Sequence, residues 1–171
     1  NNIKEYNDRQ NIVLFVGRIN KIKGIDILIN AFSKIIKESP DWNLHIVGPI
    51  EDMQYYDELK KSVDKKGIND KVKFLGSVDQ KKLFDEYNNA SIFCLPSRNE
   101  SFGIALIEAL AFGLPSITST AVCKDDFEKY GVLFFKINDD NELASLISKL
   151  IKDEKLRNSL SKKALLIREK L

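Results

Sequence analysis

Apolar segments of two kinds alternate along this chain. Short, nearly continuous apolar runs recur, and each is followed by a longer stretch whose apolar residues are spaced three and four apart. The first kind is typical of a strand buried on both faces, and the second of an amphipathic helix. The pattern predicts strands over residues 12–16, 44–47, 72–75, 92–95, 116–119 and 132–135.

Helices are predicted between these strands, over residues 25–36, 52–66, 80–88 and 102–112. An irregular polar segment follows the fifth strand. Asp139 with Glu142 three residues on forms a capping-box pattern that opens a further helix, and a last amphipathic helix covers residues 156–167. The alternation predicts an α/β, Rossmann-like, three-layer domain over residues 12–171, with about six parallel strands in the order 3-2-1-4-5-6. Residues 1–11 are polar and patternless, which predicts a linker or a flexible terminus.

Composition excludes several classes of function. The 27 basic and 25 acidic residues give a net charge of +2, too balanced for a nucleic-acid binder. No apolar run approaches a membrane span and no signal peptide is evident. We expect a cytoplasmic protein, with peripheral attachment to the inner face of the membrane as an alternative for the full-length chain. Cys94 and Cys123 are not expected to pair, and the single histidine, His45, lies in a strand pattern that gives no metal site.

The chemistry is expected at the carboxyl ends of strands 1 and 4, where the predicted strand order reverses. The loops there are residues 17–24 and 96–103, the richest polar segments that follow strands. Arg18 and Lys23 in the first loop are candidates for binding phosphate, since a guanidinium grips two oxygens and an ammonium adds a mobile charge. Basic loop residues are more often simply solvated, so this interpretation depends on the opposing loop.

Glu100 and Glu108 stand eight positions apart where the second loop becomes an apolar helix. At about 1.5 Å per residue they are separated by roughly 10–12 Å along the axis, with the amides of residues 101–104 between them. Favourable contact with the helix dipole explains Glu100 alone. Glu108 lies among apolar residues and needs hydrogen-bond donors. A ligand with a central diphosphate and hydroxyl-rich groups at both ends, such as a nucleotide sugar, fits this layout.

Two motifs carry a family resemblance. Residues 17–24 are similar to a G-R-x4-K-G loop, and residues 100–115 are similar to an E-x7-E segment with a trailing helix and a G-x-P turn. On these motifs the chain resembles, over nearly its whole length, the C-terminal, donor-binding domain of a GT-B glycosyltransferase of family GT4. The resemblance implies a hexosyltransferase-type enzyme that retains anomeric configuration and uses neither a divalent metal nor another cofactor.

The resemblance also implies roles for individual residues. Arg18 and Lys23 would neutralise the donor diphosphate and its developing charge, Glu100 would contact the transferred sugar, and Glu108 the ribose. The distal phosphate would be held by amides at the helix start, at Phe102, Gly103 and Ile104. The implied partners are a nucleotide sugar, a glycan or lipid-linked acceptor, and an N-terminal acceptor domain that this sequence does not contain. The isolated domain is therefore expected to be inactive.

Departures from the family pattern keep alternatives open. A second glycine often follows the glycine after strand 2, where this chain has Pro49, Ile50 and Glu51, and the usual glycine pair after strand 5 is missing from residues 120–125. A non-catalytic nucleotide-sugar-binding module is one alternative. Another GT-B-like enzyme, such as an epimerase or phosphorylase, is a second. A Rossmann dehydrogenase is disfavoured because no G-x-G-x-x-G follows strand 1.

Overall fold

A six-stranded parallel sheet forms the centre of the computed structural model, which describes residues 3–171. The strand order is β3-β2-β1-β4-β5-β6, which confirms the predicted doubly wound order. Helices cover both faces and complete a three-layer α/β/α domain. The strands are β1 (Ile12–Val16), β2 (Asn43–Val47), β3 (Val72–Gly76), β4 (Ile92–Leu95), β5 (Ser116–Ser119) and β6 (Leu133–Phe135).

Seven α-helices are assigned within the described residues, and aspartates open most of the longer ones. Asp52, Asp79, Asp139 and Asp153 each accept a hydrogen bond from a first-turn amide at 2.7–2.9 Å. None of the helices in residues 3–171 is long and apolar enough to cross a membrane. The helices are α1 (Ile25–Ile35), α2 (Met53–Lys66), α3 (Gln80–Asn89), α4 (Ile104–Ala111), α5 (Lys124–Phe127), α6 (Asp140–Lys152) and α7 (Glu154–Ala164).

Several predicted boundaries differ from the structure. The helix expected from residue 102 begins at Ile104, because Gly103 adopts a left-handed conformation with φ of 61°. The segment expected to be irregular after β5 contains α5 and a 3₁₀ turn over Glu128–Tyr130. The last helix begins at Glu154 and gives way to a 3₁₀ helix over Leu165–Lys170, since Asp153 caps a new start.

The capping box at α6 forms only in part. Asp139 accepts from the Glu142 amide at 2.8 Å as predicted, but the Glu142 carboxylate accepts from the Lys136 amide at 2.7 Å. The Asp139 amide, which Glu142 was expected to bind, donates instead to the Lys136 carbonyl at 2.9 Å. The turn before the helix therefore satisfies the donor that the pattern assigned to the glutamate.

Residues 3–11 were predicted to be a linker or flexible terminus, and their described contacts attach them to the domain. Asn1 and Asn2 lie outside the described residues. The Arg9 guanidinium donates to the carbonyls of Tyr87 and Ala90, each at 3.0 Å, and to that of Phe112 at 2.5 Å. Burial lowers the pKa of Arg9 to about 10, which leaves it charged at neutral pH. These contacts place residues 3–11 beside the start of β4 and the end of α4.

The loop after β1 and the loop after β4 pass unusually close to each other. Gly24 has φ of +66°, and a Cβ placed on it would lie 2.2 Å from the Pro96 carbonyl oxygen. The Arg98 amide donates to the Ile22 carbonyl at 2.7 Å across the same gap. A glycine is required at position 24 both for its backbone conformation and because a side chain has no space there.

Gly24→Ala is expected to destabilise the domain much more than Gly67→Ala. Gly67 has nearly the same φ, +67°, but a Cβ there meets nothing within 4 Å. The control therefore carries only the conformational cost of about 1–2 kcal/mol, whereas Gly24→Ala adds a backbone clash that raises the loss to about 3 kcal/mol or more. Urea unfolding of both variants measures the difference. Equal losses would contradict the close approach of the two loops.

Candidate functional site

The predicted site residues of the two loops lie at the carboxyl edge of the sheet, around the gap between β1 and β4, and Glu108 lies farther along α4. Parallel pairing of these strands, with Val13 opposite Ile92, directs both following loops to this edge. The first loop carries Arg18 and Lys23, and the second carries Glu100 ahead of α4. The sequence therefore located the two facing loops correctly, and the structure shows which of their side chains meet.

Lys23 and Glu100 form a direct ion pair across the gap. The Lys23 Nζ lies 2.7 Å from the Glu100 Oε2, and the two side chains are only 17% and 12% exposed. Ser97 Oγ donates to the same carboxylate at 3.2 Å, and the Gly103 amide also donates to it, at 3.3 Å. Burial alone would raise the pKa of Glu100, but the Lys23 charge and these donors offset it and lower the pKa below its usual value. Glu100 is therefore a fixed, ionised hydrogen-bond acceptor.

Arg18 is held by a different carboxylate. Its Nη1 donates to Glu51 Oε1 at 2.6 Å, and Asn20 donates to the other oxygen of Glu51. The side chains of Arg18 and Glu51 are 61% and 45% exposed, so this pair is much more hydrated than Lys23–Glu100. Glu51 lies in the loop after β2, the loop in which a second glycine was expected from the family resemblance. Arg18 and Lys23 thus flank the same loop but are neutralised by two separate acids.

Glu108 lies on an exposed face of α4. The sequence placed it among apolar helix residues and in need of hydrogen-bond donors, and its side chain is exposed although those neighbours are apolar. Its carboxylate accepts from the Tyr87 hydroxyl at 2.7 Å. Two apolar residues between the two glutamates are also exposed. Phe102 and Ile104 are 78% and 66% exposed, so two large apolar side chains stand in solvent at the helix start.

A small cavity of about 190 Å³ lies beside the start of α4. The amides of its first turn have no acceptor within the helix, which makes this end suited to an anion. The cavity reaches the segment that replaces the family's glycine pair after β5. Its lining residues are Glu100, Ser101, Phe102, Gly103, Val122, Cys123, Asp126 and Phe127.

Arg98 joins several loops of the site, and the sequence did not single it out. Its two terminal guanidinium nitrogens, Nη1 and Nη2, donate to the Asp26 carboxylate at 2.9 and 2.7 Å. Nη1 also donates to the Lys21 carbonyl at 2.6 Å. Asp26 also accepts from Tyr55 of α2. The signal available in the sequence was a lone arginine two residues before Glu100. Its partner stands 72 positions away, so only the fold reveals the pair.

Asp26→Asn is expected to destabilise the domain in a pH-dependent way. Burial would raise the pKa of Asp26, but hydrogen bonds from Arg98 and Tyr55 and the Arg98 charge offset it and lower the pKa. A lowered folded-state pKa gives stability that is present above the unfolded pKa of about 3.9 and is lost as pH falls through the folded value. The loss should be about 1–2 kcal/mol at pH 7, modest because the pair is one-third exposed.

Urea unfolding between pH 7 and pH 3 measures this loss. The difference in free energy of unfolding between wild type and Asp26→Asn should become smaller below about pH 4. Glu38→Gln is the control, since Glu38 forms a solvent-exposed pair with Lys152 at 2.8 Å at the other end of α1. It should change stability little. A gap between Asp26→Asn and wild type that stays constant with pH would show that the charge of Asp26 is not the stabilising element.

Residues 1–166 match the family model described as glycosyl transferases group 1. The chain belongs to this family. A Haemophilus influenzae protein described as an uncharacterized glycosyltransferase is 32% identical over 160 residues, which are 92% of this chain and 44% of that protein. The chain spans less than half the length of the curated relatives it matches.

Solved structures share the architecture of this chain. The C-terminal domain of a glycosyl transferase group 1 family protein from Francisella tularensis has a TM-score of 0.85 at 23% identity, over 96% of this chain and 87% of that domain. The Anabaena protein HepE, in complex with UDP-glucose, has a TM-score of 0.85 at 23% identity, over 94% of this chain and 44% of that one. These likenesses show the fold, which is that of the C-terminal domain of GT-B glycosyltransferases.

Proposed function

We propose that this chain is the donor-binding domain of a retaining, metal-independent, hexosyltransferase-type glycosyltransferase that uses a nucleoside-diphosphate sugar. The observation that carries the proposal is the Lys23–Glu100 pair beside the start of α4. It places a cation for phosphate next to a carboxylate for sugar hydroxyls, at the sheet edge where doubly wound domains bind ligands. The bound UDP-glucose of the Anabaena neighbour supports this class of ligand.

The diphosphate would lie between the α4 amides and the loop after β1. A helix N-terminus favours a phosphate through its unpaired amides and its dipole. Lys23 already reaches this position, since its ammonium lies 2.7 Å from Glu100, which in turn accepts from the Gly103 amide. When the bond between the anomeric carbon and the diphosphate oxygen breaks, negative charge develops on the diphosphate. Lys23 and Arg18 would stabilise that charge in the transition state.

The two glutamates would bind opposite ends of the donor. Glu100 is ionised and held by three donors, so it can accept hydrogen bonds from hydroxyls of the transferred sugar without reorienting. Glu108 stands on the exposed face of α4 and would accept from the ribose hydroxyls. Among the described residues, Glu100 is bonded to Lys23, Ser97 and Gly103, whereas Glu108 is bonded to Tyr87. They would therefore position the donor, and they would not act as the acid and base of a glycoside hydrolase.

The acceptor would bind to a second domain. The curated relatives are more than twice as long as the part that this chain matches, and a GT-B enzyme forms its active site between two domains. We therefore propose that a glycan or lipid-linked acceptor is bound by an N-terminal domain of the full-length, cytoplasmic enzyme. This 171-residue chain alone would bind the donor and would not transfer its sugar.

Nucleoside diphosphates are expected to stabilise the domain. A ligand selective for the native state adds about 2.7 kcal/mol at 100 times its Kd, which raises the melting temperature by several degrees.

Glu108→Gln should weaken nucleoside-diphosphate binding about ten- to hundred-fold by removing a charged acceptor, with the fold intact. Calorimetry and thermal melts with uridine, guanosine and adenosine diphosphates measure both effects, with Glu38→Gln as a remote control. No heat and no stabilisation with any of the three would refute the donor site.

Glu51→Gln is expected to tighten nucleoside-diphosphate binding. In the structure the Arg18 guanidinium is hydrogen-bonded to the Glu51 carboxylate, so an incoming diphosphate must displace that carboxylate. An exposed pair is worth at most about 1 kcal/mol, so its removal should lower Kd by up to about five-fold. Titration calorimetry at low and high salt tests this, since the gain should shrink as salt screens the pair. Weaker binding by the variant would show that Glu51 helps to hold the ligand.

A further inference from the structure

Tyr87, in the last turn of α3, donates its hydroxyl hydrogen to Glu108. The residue is 2% exposed, and its ring stacks on Phe112 with 5.2 Å between centroids and 18° between planes. The Phe93 ring of β4 lies 6.2 Å away on centroids. The Tyr87 carbonyl accepts from Arg9 at 3.0 Å. Backbone and ring are therefore both held, and the hydroxyl emerges at a fixed point 2.7 Å from Glu108 Oε2.

The contact gives Glu108 an orientation that an exposed glutamate otherwise lacks. A surface glutamate samples several rotamers, and ordering such a side chain when a ligand binds costs about 0.5–1.5 kcal/mol. Burial, and then the hydrogen bond to Glu108, raise the pKa of Tyr87, so the phenol keeps its proton and remains a donor at neutral pH. A carboxylate offers about four lone-pair positions. Tyr87 takes one on Oε2, and Oε1 remains for a ligand.

We propose that Tyr87 is a positioning residue that holds the Glu108 carboxylate in place for the vicinal diol of a bound nucleotide's ribose. This inference rests on the proposed function and adds a residue outside both motifs to its site. A diol presents two donors to one carboxylate, so its affinity depends on how well the carboxylate plane is fixed before binding. The rigid, buried tyrosine supplies that fixation from outside α4.

A purely structural pairing makes a different prediction. In that case Glu108 would serve Tyr87, by satisfying a buried hydroxyl that needs an acceptor. The Ala105 carbonyl, at 3.4 Å, is a poorer acceptor for the same hydroxyl. Tyr87→Phe would then remove the hydroxyl that needs Glu108 as an acceptor, and nucleotide affinity would stay unchanged. Positioning instead predicts a loss that depends on the hydroxyls of the ligand.

The test is Tyr87→Phe, which keeps the ring and its stacking and removes only the donor. Binding is measured by calorimetry with uridine, guanosine and adenosine diphosphates, and with the 2′,3′-dideoxy form of whichever binds the wild type. We expect about three- to ten-fold weaker binding of the ribonucleotide and an unchanged affinity for the dideoxy form. Tyr56→Phe is the matched control, because that ring packs edge-on against Phe74 at 5.3 Å, away from Glu108.

The outcomes separate this inference from the proposed function. Unchanged affinity for the ribonucleotide, or equal weakening of both ligands, would overturn the role of Tyr87. If Glu108→Gln in that case weakens binding of the ribonucleotide more than binding of the dideoxy form, Glu108 still recognises the ribose and the donor site itself stands. Absence of binding of any diphosphate to the wild type would overturn the donor site and this inference together. A thermal melt of Tyr87→Phe without ligand shows whether any loss comes from unfolding.

Discussion

The close approach of the Gly24 turn to the Pro96 carbonyl is the constraint on which the site depends. β1 and β4 are neighbours in a parallel sheet, so their carboxyl ends emerge together and the following loops must share one narrow space. The absence of a side chain at Gly24 allows this, and the hydrogen bond from the Arg98 amide to the Ile22 carbonyl joins the loops. The Lys23–Glu100 pair is then set by backbone packing, which gives a precision that flexible side chains alone would not have.

Three basic side chains of the site are each paired with a carboxylate of the same domain. Lys23 faces Glu100, Arg18 faces Glu51, and Arg98 faces Asp26. These pairs differ in burial, and so in how strongly water competes with them. A diphosphate would displace Glu51 from Arg18 and would share Lys23 with Glu100. The Arg98–Asp26 pair would stay intact, because it holds the loops that present the other two.

Family membership and local geometry describe different aspects of the site. The chain belongs to the glycosyl transferases group 1 family, and its fold is that of a C-terminal GT-B domain. The geometry adds how each acid is held. Glu100 is fixed by a lysine, a serine and an amide, whereas Glu108 is fixed by one buried phenol. The two ends of the proposed donor would thus meet carboxylates whose orientations have independent supports.

The sequence by itself determined the alternation of strands and helices, and the two facing loops followed from taking the common strand order of doubly wound domains. Those features follow from local periodicity and from the handedness of crossovers, and both are encoded within short windows. It also singled out Arg18, Lys23, Glu100 and Glu108 by spacing and family resemblance. It placed Glu108 among apolar neighbours but did not show which way the side chain faces, because helix composition does not say which direction one position faces.

Only the tertiary structure decided which groups pair. Glu108 binds Tyr87 from 21 positions away, Arg18 binds Glu51 from 33, and Arg98 binds Asp26 from 72. None of these separations leaves a periodic trace, because each pair joins side chains from different elements. They meet only after the sheet has ordered its strands and the loops have packed at one edge. The chemical type of each side chain is given by the sequence at that position, and its partner is determined by the packing of distant segments.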